Sequence, residues 1–121
     1  MEDMHHEASV SWFRDGLAPE ATLAAPALVL AEVAGAIARR TGNRSAVQNA
    51  LDHMLAVPRL RMLALEQMLA LQAAHIAADL RIRGADACYV AVAVHLGMPL
   101  VTFDNELATR ARAIVEVIRP S

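Results

Sequence analysis

Pro99-Leu100-Val101-Thr102-Phe103-Asp104-Asn105-Glu106-Leu107 commits this part of the chain to a strand followed at once by a helix. Residues 99–103 are apolar, β-branched at Val101 and Thr102, and bounded by turn formers, which reads as a buried strand. A helix follows from about Glu106 to Ala113. Asp104 stands where that helix takes its N-cap. Side chains alternate along a strand, so Thr102 and Asp104 project to the same side.

Upstream lies Gly84-Ala85-Asp86-Ala87-Cys88-Tyr89-Val90-Ala91-Val92-Ala93. Asp86 is expected to open a helix running to Leu96 and ended by Gly97. That helix is apolar all round and is therefore buried. Before it, a helix from Glu66 to about Arg83 ends at Gly84. Leu60–Leu65 is a candidate short strand. Ser45 caps a helix over about 46–56, which Pro58 stops. Pro26 starts a helix to about Arg40, closed by Gly42-Asn43, and an extended piece around Ala21–Ala25 precedes it. A first helix covers residues 4–15 up to Gly16. Downstream, Ile114–Ile118 is β-branched at alternate positions and reads as a last strand.

Helices alternating with short apolar strands point to an α/β fold, with a short parallel sheet covered by helices on both faces. Such sheets place functional groups at the carboxyl ends of their strands. The 121 residues carry no repeat, linker or low-complexity tract, so one domain over 1–121 is expected. Apolar residues are 56% and aromatics 3%, so aliphatic packing has to form the core. Net charge is −2, which argues against nucleic-acid binding through a broad basic surface and requires any RNA contact to be local or metal-assisted. A single cysteine, Cys88, excludes an intrachain disulfide and a cysteine zinc site. The N-terminus has no signal-peptide character and no apolar run is long enough to span a bilayer, so a cytoplasmic location is expected.

Three acids stand apart. Glu32 lies in Leu28-Val29-Leu30-Ala31-Glu32-Val33-Ala34-Gly35-Ala36-Ile37, where its helical neighbours are apolar or small and none is a cation. Burying a carboxylate there requires a partner or a metal; a partly solvated position at the helix rim is the plain alternative. Asp86 and Asp104 each have a plain alternative as an N-cap. Together, one acid on an apolar helix, one at the start of a core helix and one at a strand end form a candidate oxygen-donor set for Mg²⁺ or Mn²⁺. Phosphodiester hydrolysis uses such an ion to activate water, orient phosphate and stabilise the leaving oxygen.

Other patterns weigh less. His5-His6 are adjacent and do not share a helix face. His75 and His95 read as packed histidines on apolar helices. Met54, Met62 and Met68 read as core, with a Met-rich partner surface as the alternative. Arg39, Arg40, Arg81 and Arg83 could touch phosphates near the acids or be ordinary surface. No nucleophile elbow and no glycine-rich phosphate loop is present.

With these residues in place, the chain resembles the PIN-domain family, particularly the VapC-type ribonucleases of bacterial toxin–antitoxin pairs. Residues 26–37 look like the family's helix with its Glu, residues 84–93 like its Asp-Ala helix, and residues 97–107 like its strand and turn ending in Asp. The resemblance implies a three-layer α/β fold and a Mg²⁺-dependent ribonuclease. Its catalytic and metal-binding acids are Glu32, Asp86 and Asp104. Thr102 supports Asp104, and Asn105 touches substrate. It also implies a homodimer restrained by a small antitoxin. One departure is clear: the family's first strand, which carries a further catalytic Asp and lies at the centre of the sheet, has no counterpart before residues 4–15, and Asp3 is a poor substitute. A start codon placed too late or a cut chain, a strand borrowed from a second copy, and a decayed relative are the explanations. A catalytically impaired PIN-like protein that only binds a partner is the competing function. An all-helical adaptor is a third, and requires that no strand form at Leu100–Phe103.

Overall fold

The computed structural model describes residues 22–120; the helix expected over 4–15, Asp3 and the pair His5-His6 lie outside the described residues. The described elements, in chain order, are β1 (Leu23–Pro26), α1 (Val29–Thr41), α2 (Arg44–Leu55), β2 (Leu60–Leu63), α3 (Gln67–Leu80), α4 (Gly84–Leu96), β3 (Leu100–Val101), α5 (Asn105–Ala111) and β4 (Val117–Ile118). The fold is α/β, with five helices among the described residues and short parallel strands. The strand at Leu100–Val101 excludes an all-helical adaptor.

Strand alternation divides the core into two layers. Leu100 belongs to an apolar cluster with α3, α4 and α5, and Ala24, Leu63 and Val117 pack against it. Ala25 belongs to a second cluster with Val29, Val33 and Met54, against which Met62 and Val101 pack. Consecutive strand residues thus feed opposite sides, which gives the three-layer arrangement expected of helices on both faces of a parallel sheet. On one side, α4 is buried almost all round, including Ala87, Val90 and Ala91, as its unbroken apolar run requires.

Among the described residues the sheet comes in two parts. β1 pairs with β2, and β3 pairs with β4, both in parallel. Between them an apolar hollow of about 160 Å³ is bordered by Leu23 and Ala24 of β1, Leu100 and Val101 of β3, and Tyr89 and Val92 of α4. Tyr89 packs against both core clusters, so it stands where the layers meet.

Several boundaries differ from the sequence reading. Pro26 ends β1 instead of starting a helix. The amides of Leu23 and Ala27 donate to Arg59 and Leu63 of the β2 segment, both at 2.8 Å, so Pro26 falls at the alternate position and no ladder bond is lost. Asn43, not Ser45, caps α2: its Oδ1 accepts from the amides of Ser45 at 2.9 Å and Ala46 at 3.2 Å. The helix expected to reach Arg83 stops at Leu80, and Arg81 takes the left-handed cap (φ 58) that Gly42 and Gly97 supply to α1 and α4. A side chain in that conformation costs about 1 kcal/mol that glycine avoids. Gly84, expected to end that helix, instead begins α4. His75 and His95 are exposed, not packed, and Met68 is 79% exposed while Met54 is buried.

Candidate functional site

Asp104 is held by short-range geometry. Its Oδ1 accepts from the amides of Glu106 at 2.9 Å and Leu107 at 3.1 Å, which caps α5. Its own amide donates to Oγ1 of Thr102 at 3.0 Å. Thr102, 4% exposed, is a buried polar residue at the end of β3, and this bond gives its hydroxyl a partner. Thr102 thus meets the backbone amide of Asp104. Asn105 begins α5 and is exposed.

Asp86 does not cap α4. The cap residue is Arg83, with no side-chain cap bond, and Asp86 sits inside the first turn. The plain alternative for this acid, an N-cap, therefore falls away. Its carboxylate lies 3.5 Å from Nε of Arg83.

Asp86 and Asp104 come together. They line one hollow of about 190 Å³, shared with Arg81, Arg83, Glu106 and Arg110. Arg110 is fixed there by donating to the Leu80 carbonyl at 3.0 Å and to Glu106 at 3.3 Å. Acids from the end of a β-strand and the start of a helix thus line the same space, with three arginines at its border.

Glu32 does not line that hollow. Its Oε1 accepts from the Tyr89 hydroxyl at 2.6 Å, across 57 positions of sequence. Burial first, then the hydrogen bond to Glu32 and the charges of Glu32 and Asp86, push the Tyr89 phenol well above its ordinary range. Tyr89 therefore feels both carboxylates, one on α1 and one on its own helix a turn earlier. The thiol of Cys88 is also pushed up, by burial and then by the Glu32 charge. Tyr89 is the site residue that sequence reasoning missed. It lay in an apolar run, and only its being the sole aromatic in the core helix could have drawn notice.

Among the described residues no group of three or more His, Cys, Asp or Glu stands close enough to hold a metal ion. The Asp86–Asp104 pair alone still suits Mg²⁺, which keeps several waters and is often bound through one or two carboxylates plus substrate phosphate. No helix among the described residues is long and apolar enough to cross a membrane.

Two acids at a strand end and a helix start, on an α/β layer structure, are donors of the kind that a hard divalent cation takes. The PIN domain family matches residues 2–113, and the chain belongs to that family. PIN domains are generally nucleases that use divalent metal ions. No curated protein and no solved structure matches the chain.

Proposed function

We propose that this chain is the catalytic part of a VapC-type ribonuclease, the toxin of a toxin–antitoxin pair, working as a cytoplasmic single-domain protein over 1–121. The observation that carries the reading is the common hollow of Asp86 and Asp104, bordered by arginines. Asp86 and Asp104 supply oxygen donors to Mg²⁺ or Mn²⁺. Glu32 completes the set or orients water once RNA and ion are in place. Tyr89 keeps one oxygen of Glu32 in a fixed direction. Thr102 fixes the backbone from which Asp104 projects, and Asn105, exposed beside it, touches substrate. A bound divalent ion supplies Lewis-acid polarisation of the scissile phosphate and the attacking water. The positive charge of the arginines offsets that of the acids and of the RNA backbone nearby. A homodimer and a small antitoxin complete the assembly, and the exposed Leu65, Met68 and Leu71 offer an apolar surface for such a partner.

The test is Mg²⁺-dependent cleavage of single-stranded RNA by the protein and its Glu32→Ala, Asp86→Ala and Asp104→Ala variants. Each substitution abolishes cleavage; activity that survives Asp86→Ala overturns the assignment. A second reading, a PIN-like protein without catalysis that only binds a partner, is favoured by one observation: Glu32 is engaged by the Tyr89 hydroxyl at 2.6 Å. It predicts no cleavage and no rise in melting temperature with Mg²⁺, which selective binding to the native state would produce.

A further inference from the structure

Three helices end in a left-handed residue, and two of them use glycine, at Gly42 and Gly97. The third, α3, uses Arg81. It is the one non-glycine residue with positive φ among the described residues. The fold needs only a backbone in this conformation, and glycine provides it with less strain. A strained side chain kept at the border of an acidic hollow points to a task for that side chain.

The hollow limits the task. Arg83 pairs with Asp86, and Arg110 is occupied by Glu106 and the Leu80 carbonyl. Arg81 lines the same space and is exposed, and among the described residues no hydrogen bond or ion pair engages its guanidinium. Its cap fixes where it stands, since the Arg81 amide donates to Ala77 and the Ile82 amide donates to the same carbonyl at 3.2 Å. With a net charge of −2, the chain has no general attraction for polyanions, so RNA contact must be made locally.

We propose that Arg81 is a phosphate-binding residue for single-stranded RNA, gripping a backbone phosphate that neighbours the one presented to Asp86 and Asp104. The proposal rests on the ribonuclease reading above. The planar guanidinium matches two phosphate oxygens at once, which a lysine cannot do. The left-handed cap directs the strand's path past the acids by fixing the base of that side chain, and so aligns the scissile bond.

The experiment measures binding of a fluorescein-labelled single-stranded RNA of mixed sequence by fluorescence polarisation. EDTA prevents cleavage, and salt is varied. Arg81→Gly weakens binding roughly tenfold at low salt and makes the slope of log affinity against log salt shallower by about 0.7, the value for one single-strand phosphate contact. Its melting temperature does not fall, because glycine suits the cap. Arg61→Ala, exposed on β2 and outside the hollow, leaves the slope unchanged. An unchanged slope in Arg81→Gly overturns the proposal, as does an equal change in Arg61→Ala. A fall in melting temperature overturns it in favour of a structural role at the helix end. Wild-type protein that binds no RNA sinks the ribonuclease reading itself, which separates the two failures.

Discussion

Two helix caps in this protein have nearly the same geometry and opposite surroundings. At α2, Asn43 accepts from the second and third helical amides at 2.9 and 3.2 Å. At α5, Asp104 accepts from the equivalent amides at 2.9 and 3.1 Å. Asn43 stands in an exposed turn between two helices, next to exposed Gly42 and Arg44. Asp104 stands at the end of a strand, behind a buried threonine, and faces a hollow shared with Asp86 and three arginines. A neutral amide is thus sufficient to start a helix in this protein. The charge at position 104 is surplus to capping, and it is found where a second carboxylate already stands. Two acids side by side repel unless a cation or cationic groups offset them.

The largest effect expected from this contrast is on activity. Asp104→Asn keeps a good cap, since asparagine ranks with aspartate there. It lowers Mg²⁺-dependent RNA cleavage by roughly 100-fold or more, because a neutral amide is a poor ligand for a hard cation. Thermal melting should move by no more than about 3 °C. Retained cleavage in Asp104→Asn would show that position 104 serves the helix alone. The next effect is on stability and is symmetrical. Asn43→Ala and Asp104→Ala each cost about 1 kcal/mol in urea unfolding, the usual worth of a cap, yet only the second abolishes cleavage. A loss of cleavage in Asn43→Ala would mean that α2 takes part in the site and would break the contrast.

The same contrast explains what could be read from the sequence. Asp104 was legible because everything that fixes it is local: a two-residue strand period, a threonine two positions earlier and a helix immediately after. The layered architecture was legible from a different signal, helices alternating with short apolar strands, whereas which strand residue feeds which side appears only in the packed clusters. Asn43 was displaced to Ser45 because both are good caps, and the choice depends on which residue turns extended; Asn43 does, with φ −114 and ψ 110. The end of α3 was misplaced because Gly84 is the stronger breaker on intrinsic grounds, while the left-handed turn falls three residues earlier on Arg81. Tyr89 was not legible at all. Its hydroxyl finds Glu32 only after α1 and α4 have packed around β1, and no spacing rule reaches 57 residues. His75 and His95 read as packed because their helices are apolar, but the buried face of α3 is the narrow set Leu69, Ala73 and Ile76, and His95 falls in the last turn of α4, beyond its buried stretch Ala87–Ala93.

Glu32 sharpens the comparison from a third direction, since it is held by one phenol instead of two amides. Tyr89 ionises far less readily in the folded chain than in the unfolded one, where its value is 10.0. Above that pH the unfolded state has released the proton and the folded state has not, so folding stability falls as pH rises. Below it the contribution is complete. Cys88, also raised from 9.0, acts in the same direction from a lower pH. The urea midpoint should therefore decline from about pH 9 upward, and Tyr89→Phe should flatten the part of that decline above pH 10. An alkaline limb as steep in Tyr89→Phe as in the wild type would show that the Tyr89–Glu32 bond is not maintained in solution.

The smallest effect is the reverse exchange at the exposed cap. Asn43→Asp places a full negative charge at the start of α2, whose first turn carries no acid. The helix dipole favours that charge by about 0.3 kcal/mol at low salt, and the gain fades as salt rises. RNA cleavage should not change, since position 43 does not line the hollow. The pair Asp104→Asn and Asn43→Asp therefore exchanges the two side chains while keeping the chain's net charge. If the hollow gives Asp104 its function, the double variant folds as well as the parent and cleaves no better than Asp104→Asn alone. If capping by a charged group is what activity requires, the double variant retains part of its cleavage, and the distinction between the two caps dissolves.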